Sequence, residues 1–205
     1  MPRRILALLL MALAALPVQA RTATARVDRI SAAGVELEHV VVRLHWPANA
    51  AQGELQVDAG RVEAAGFGYR FDRVRWRCPL SRMAQDGWRC DGPLQGSGGA
   101  PLRLALDLSP AITDAVLSGD GARIALHRNA ATPDATQIDL TRVPLAWAQA
   151  LLAQAWADGR VGKGIVDGQA TLETPTARPL RIDARLALSQ VALESRDGSI
   201  AIGDL

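Results

Sequence analysis

The chain has few side chains whose spacing could support chemistry, and Cys78 and Cys90 are the most specific of them. They are the only two cysteines, and an even pair at short spacing reads first as a disulfide in an oxidising compartment. A two-cysteine metal or redox site would need C-x-x-C spacing and nearby histidines, and neither is present. His39, His45 and His127 fall in separate extended segments, outside any H-E-x-x-H run, and read as ordinary strand residues. Gly162-Lys163-Gly164 suggests a phosphate loop. It is rejected because residue 164 is not Ser or Thr, Ala157 stands where the first glycine belongs, and a helix would precede it instead of a strand. Ser97 and Ser118 lack the G-x-S-x-G elbow that exposes a nucleophile. Asp120 and Asp134 sit where turns call for aspartate. No catalytic set, metal ligand or cofactor motif emerges, and a non-enzymatic protein without cofactors is expected.

One cationic ladder has binding content. Arg73, Arg75, Arg77 and Arg89 would project from the outer face of a cysteine hairpin, with Arg82 near its tip, where guanidinium groups at alternate positions could pair with phosphates or other anions. Asp72, Asp86 and Asp91 would neutralise part of it.

The elements that position these groups are strands. In VRWRCPL, Val74, Trp76, Cys78 and Leu80 share one face; in WRCDGPL, Trp88, Cys90 and Leu94 do the same. With Cys78 opposite Cys90, Leu80 would face Trp88 and Val74 would face Leu94, putting every apolar partner on one side. Further strands alternate in the same way: Leu55, Val57 and Ala59; Leu102, Leu104, Leu106 and Leu108; Leu180, Ile182, Ala184, Leu186 and Leu188. Asp86-Gly87, Asp120-Gly121, Asp167-Gly168 and Asp197-Gly198 lie between or beside them as reversal signals. Three apolar neighbours at Val40, Val41 and Val42 break the alternation and predict a bulge or a strand covered on both faces. Softer boundaries at Gln95 to Pro101 and Asn129 to Ala135 allow two β lobes, and strict sequence repeats are absent.

One helix is expected over 144–157, with Pro144 in its first turn, an uncharged surface bearing Leu145, Trp147, Leu151, Leu152 and Trp156, and Asp158-Gly159 as its stop. The predicted fold is mainly β, an antiparallel amphipathic meander that is either a curled sheet with a groove or sandwich-like. Periodicity alone does not separate an open dry face from a closed core.

Composition and the N-terminus set the class and compartment. Hydrophobic residues make up 49% of the chain and charged residues 21%, outside the range that favours disorder. Arg3 and Arg4, an apolar run from Ile5 to Val18, and Val18-Gln19-Ala20 form a secretory signal, with cleavage expected after Ala20 and a periplasmic product. The apolar run is shorter than the roughly twenty residues of a membrane span. Of 23 basic and 21 acidic residues, two basic ones lie in the signal, so the mature chain is balanced and unsuited to general nucleic-acid binding. The expected organisation is 1–20 signal peptide, 21–100 β region with the disulfide hairpin, and 101–205 β unit with the inserted helix.

Three consecutive segments carry a family likeness: LTRVPLAWAQALLAQAW, GRVGKGIVDGQATLET and PLRIDARLALSQVALESRDGSIAIGDL. Together they resemble the repeating unit of AsmA-like envelope proteins, a superfamily that includes the TamB and YdbH lipid-transfer proteins, over Leu140 to Leu205. The resemblance implies a β-sheet curled into a hydrophobic trough that conducts phospholipid or another envelope lipid and serves outer-membrane homeostasis. Leu102, Leu104, Leu106, Leu108, Leu180, Ile182, Leu186 and Leu188 would line that trough. Such proteins are far longer, so this chain would be an N-terminal piece or a short relative, joined to a partner through an unpaired β edge. The competing expectation is a structural envelope-assembly or secretion-system module with a closed β core.

Overall fold

The computed structural model describes residues 20–32, 35–64, 68–84, 86–97, 100–150, 153, 156–174, 181–198 and 201–203. Residues 1–19 of the expected 1–20 signal peptide, together with Gln85, Leu151, Leu152 and Leu180, lie outside the described residues.

Short alternating segments separated by tight turns give one antiparallel meander of twelve strands in which spatial order equals chain order. These are β1 (Arg21–Ala32), β2 (Val35–Trp46), β3 (Gln52–Ala64), β4 (Tyr69–Arg82), β5 (Trp88–Gln95), β6 (Leu102–Leu108), β7 (Ile112–Gly119), β8 (Ala122–Asn129), β9 (Ala135–Pro144), β10 (Gly159–Glu173), β11 (Arg181–Ser195) and β12 (Ala201–Ile202). Strands β5 and β6 pair across the Gly/Ser stretch, so both predicted β regions share one sheet. Asp120-Gly121 is the two-residue turn between β7 and β8, both residues having positive φ (50° and 78°), as a type I′ hairpin requires. Asp167-Gly168 instead lies within β10, at a register irregularity, where the Arg142 N–H donates to the Asp167 carboxylate at 2.8 Å.

Four strands carry a non-glycine residue of positive φ within the strand: His39 (53°), Arg73 (52°), Arg142 (50°) and Gln190 (54°). Each stands in the same local pattern, Leu37-Glu-His-Val40, Phe71-Asp-Arg-Val74, Leu140-Thr-Arg-Val143 and Leu188-Ser-Gln-Val191. Apolar residues three apart would face opposite sides of a regular strand. The left-handed residue between them turns the chain by one position and returns the second apolar side chain to the dry face. In β2 the irregularity falls at His39, ahead of the three valines, so Val40 is buried with Val42 on the same face, while Val41, whose partners are Arg26 and Asp58, lies on the polar face. Asp28, His39, Gly60 and Arg73 hold equivalent register positions across β1 to β4, so the slips line up as one transverse crease.

The disulfide joins Cys78 to Cys90 with Cα atoms 5.4 Å apart, but the register around it differs from the expected one by two residues. Leu80, not Cys78, lies opposite Cys90, and Trp76, not Val74, lies opposite Leu94. A two-residue shift leaves every side chain on its original face, so an argument from faces alone cannot detect it. The bridge runs diagonally, and Gly92 occupies the position facing Cys78. Trp76, Cys78 and Cys90 are buried together beneath Leu55, Val57, Leu80, Leu94, Leu104 and Leu106. The Trp76 indole crosses β5 to donate to the Leu104 carbonyl of β6 at 3.1 Å. Closing this loop is expected to contribute about 3 kcal/mol. Urea denaturation with and without reductant checks it: the reduced protein should unfold at a clearly lower midpoint.

A helical segment stands where the sequence places it. Pro144 ends β9 with extended backbone (ψ 128°), and a 3-10 helix covers only Leu145–Ala148, followed by helical residues at 149, 150 and 153. Gly159 does not terminate it through a left-handed conformation. It opens β10, and a Cβ there would lie 2.4 Å from the Trp156 ring, so glycine is needed for close packing. The Gln149 amide bonds the Gly159 carbonyl (3.0 Å) and the Val161 N–H (2.7 Å), standing in for a strand neighbour at the start of β10.

Candidate functional site

Following the register across the sheet assembles the dry face row by row. Leu44, Leu55 and Cys78 are successive partners from β2 to β4. Gly92, Leu104, Leu117, Ile124, Leu140, Gly168 and Leu186 continue the same row to β11. A second row runs Gly53, Leu80, Cys90, Leu106, Ala115, Leu126, Ile138, Ala170 and Ala184. Neither row contains a polar side chain. The next row toward the loop end turns polar only at its middle, with Thr113, Arg128 and Thr136, and stays apolar on either side with Trp88 and Leu108 and with Leu172 and Ile182.

The sheet is curled with this face inside. Trp147 follows Pro144, a partner of Ile165 in β10, by three residues, and three residues reach at most about 11 Å. Strands β4 and β9 are five positions apart, about 24 Å in a flat sheet. Nevertheless the Tyr69 hydroxyl of β4 donates to the Trp147 carbonyl. Tyr69 stacks on Phe71, which the crease places on the dry face, and burial pushes the Tyr69 phenol up. At the other end of the strands, Trp46 and Trp88 meet edge-on at 5.9 Å, with Trp46 lying over Gly53.

Among the described residues no second sheet faces the apolar band. Ile182, Leu186 and Leu188 are 55%, 51% and 55% exposed, and Leu108 is 40% exposed. These, with Leu102, Leu104 and Leu106, are the predicted lining residues within the described set; they come together on one face through the register above. The sheet order ends in β1 and β12, and among the described residues β12 pairs with Leu193 and Glu194 of β11, leaving the rest of that long strand without a described neighbour on that side.

The opposite face is a lattice of cross-strand ion pairs. Asp58 accepts from Arg75 Nε (2.6 Å), Arg43 Nη1 (2.5 Å) and Gln56 Nε2 (2.7 Å); Arg77 pairs with Glu54 (3.3 Å); Arg89 pairs with Asp107 (2.5 Å). Of the four arginines expected to contact anions, Arg75, Arg77 and Arg89 are thus engaged by carboxylates, while Arg73 has no ion pair among the described residues. Burial opposes ionisation of Asp58, but hydrogen bonds from Arg75, Gln56 and Arg43 prevail and hold its carboxyl below the ordinary 3.8. The Arg89 hydrogen bond does the same for Asp107. In both, folding favours the ionised form, so their stabilisation is complete above the unfolded value and disappears as pH falls through the lower folded one. Denaturation midpoints should therefore drop on going from neutral pH to about pH 3, and Asp107→Asn should flatten part of that slope.

The histidines remain apart: His45 bonds Thr22, His39 packs on Gly60, and His127 Nδ1 meets Asp114 Oδ1 at 2.5 Å. The His127–Asp114 pair was not evident from spacing, since it depends on the β7–β8 register. Its flanking partners in register are Asp107, whose carboxylate is held by Arg89, and Gln137. Among the described residues no three potential metal ligands cluster. No family model, curated protein or solved structure matches the chain.

Proposed function

We propose that this chain is a non-enzymatic periplasmic protein whose curled apolar face holds the acyl chains of a phospholipid or another envelope lipid, in the service of lipid transport and outer-membrane homeostasis. The observation that carries this reading is the pair of apolar rows running from strand to strand on a concave face with no described layer over it. A sheet with one apolar face must bury that face against something. A lipid chain fits, because the band offers area without the convergent polar groups that orient a polar substrate. The secretory signal in the sequence and the disulfide are compatible with an exported protein.

The edge strand β1 and the length of β11 without a described neighbour favour a second reading, an envelope-assembly module extended by a partner strand. The two are separated by native mass spectrometry with lipid extraction on the oxidised protein isolated from a Gram-negative periplasm. Reproducible co-purifying lipid supports carriage. A lipid-free, monodisperse species moves the weight to assembly.

A further inference from the structure

We propose that the polar face carries a phosphate-binding site formed by Arg43, Arg73 and Arg75 around Gly60. The crease creates the site. At Gly60 the strand has no side chain, and its neighbours in register are His39 and Arg73, both in the left-handed conformation. A shallow hollow of about 330 Å³ results, bordered by Arg43, Asp58, Gly60, Arg73 and Arg75 together with Ala59 and Val74.

Its charge is incompletely neutralised. Asp58 holds Arg43 through Nη1 on one carboxylate oxygen and Arg75 through Nε on the other, which fixes both guanidinium groups and leaves N–H donors on each. Arg73 adds a third guanidinium. The other arginines of β4 within reach of a carboxylate use one: Arg70 with Asp72 and Arg77 with Glu54. The nearby Glu38 is likewise held by Arg29 and Arg61. Three cations against Asp58 leave a net charge of about +2, matching the −1.5 to −2 of a phosphate monoester near neutral pH. Guanidinium forks pre-positioned by a shared carboxylate suit tetrahedral oxyanions, since little side-chain freedom is lost on binding. The site faces away from the apolar rows, so its test is independent of acyl-chain binding.

Arg73→Gly is the decisive variant. Glycine tolerates the φ of 52° at this position better than arginine, so the variant should fold at least as well while losing one guanidinium. Arg123→Gln removes one charge elsewhere on the same face as a control. The probes are inorganic phosphate, followed by calorimetry, and phosphatidylcholine vesicles containing phosphatidic acid, followed by co-sedimentation. Arg73→Gly should weaken binding by about tenfold, the loss of one bidentate contact, with Arg123→Gln unchanged. Binding to free phosphate, or vesicle binding that free phosphate displaces, identifies the soluble anion; vesicle binding that resists displacement and is weakened by Arg73→Gly identifies a presented headgroup. Equal binding by the wild type and Arg73→Gly, an equal loss in Arg123→Gln, or no binding to either probe overturns the proposal.

Discussion

Alanine at position 92 is expected to destabilise the oxidised protein by about 4 kcal/mol or to prevent its folding, a far larger effect than a buried methyl group ordinarily has. A Cβ on Gly92 would lie 2.0 Å from the Arg77 carbonyl oxygen and 2.9 Å from Cys78 Cα, both backbone atoms that cannot swing aside. They are pinned because the diagonal disulfide draws β4 over β5 and the Trp76 indole lies across the same strand. Gly121 is the control: it needs a positive φ, but a Cβ there meets nothing within 4 Å. Gly121→Ala should therefore cost only about 1 kcal/mol of backbone strain. Urea denaturation of both variants checks the contrast. A Gly92→Ala protein within about 1 kcal/mol of wild type would mean that β4 and β5 do not pack in this register.

The second large effect concerns lipid. The double variant Ile182→Asp, Leu186→Asp places two carboxylates in the apolar band at side chains that are already more than half exposed. Because neither supports a packed core, the folding midpoint should move little, by about 1 kcal/mol or less. Transferring a carboxylate into contact with hydrocarbon is strongly unfavourable, so co-purifying lipid should fall by about two orders of magnitude. Arg185→Gln, between them on the polar face, should leave lipid content unchanged. Lipid extraction with phosphate assay, alongside thermal melts, separates loss of ligand from loss of fold.

How much of this was legible in the residues depends on what each inference required. Leu102 to Leu108 and Ile182 to Leu188 announce strands through strict alternation, and Cys78 with Cys90 announces the bridge. The pairing of Leu80 with Cys90 was hidden because registers two residues apart present identical faces. The recurrent spacing of Leu37 to Val40, Phe71 to Val74, Leu140 to Val143 and Leu188 to Val191 stood in plain view. A period-two template reads each as a break in a strand, whereas the left-handed residue makes it a continuation. The helix prediction over 144–157 rested on an uncharged run. That run says what the segment avoids, but not that Gln149 would spend its amide on the backbone of β10.

The binding features divide the same way. An apolar row across many strands needs the complete register, and no single strand contains it. Arg73, Arg75, Arg77 and Arg89 look equivalent along the chain; they differ only once Asp58, Glu54 and Asp107 are placed across from three of them. Whether alternating strands close into a sandwich or stay open is decided by contacts such as Tyr69 with Trp147, 78 residues apart in the chain.

The most direct test of the trough is a photocrosslinking scan along β11 in cells, placing a photoreactive residue at each position from 182 to 188 in turn and analysing the lipid adducts. The account predicts adducts at 182, 184, 186 and 188, on the apolar band, and none at 183, 185 and 187, on the ion-paired face. Adducts without that alternation, or none at any position, would contradict a lipid-holding concave face.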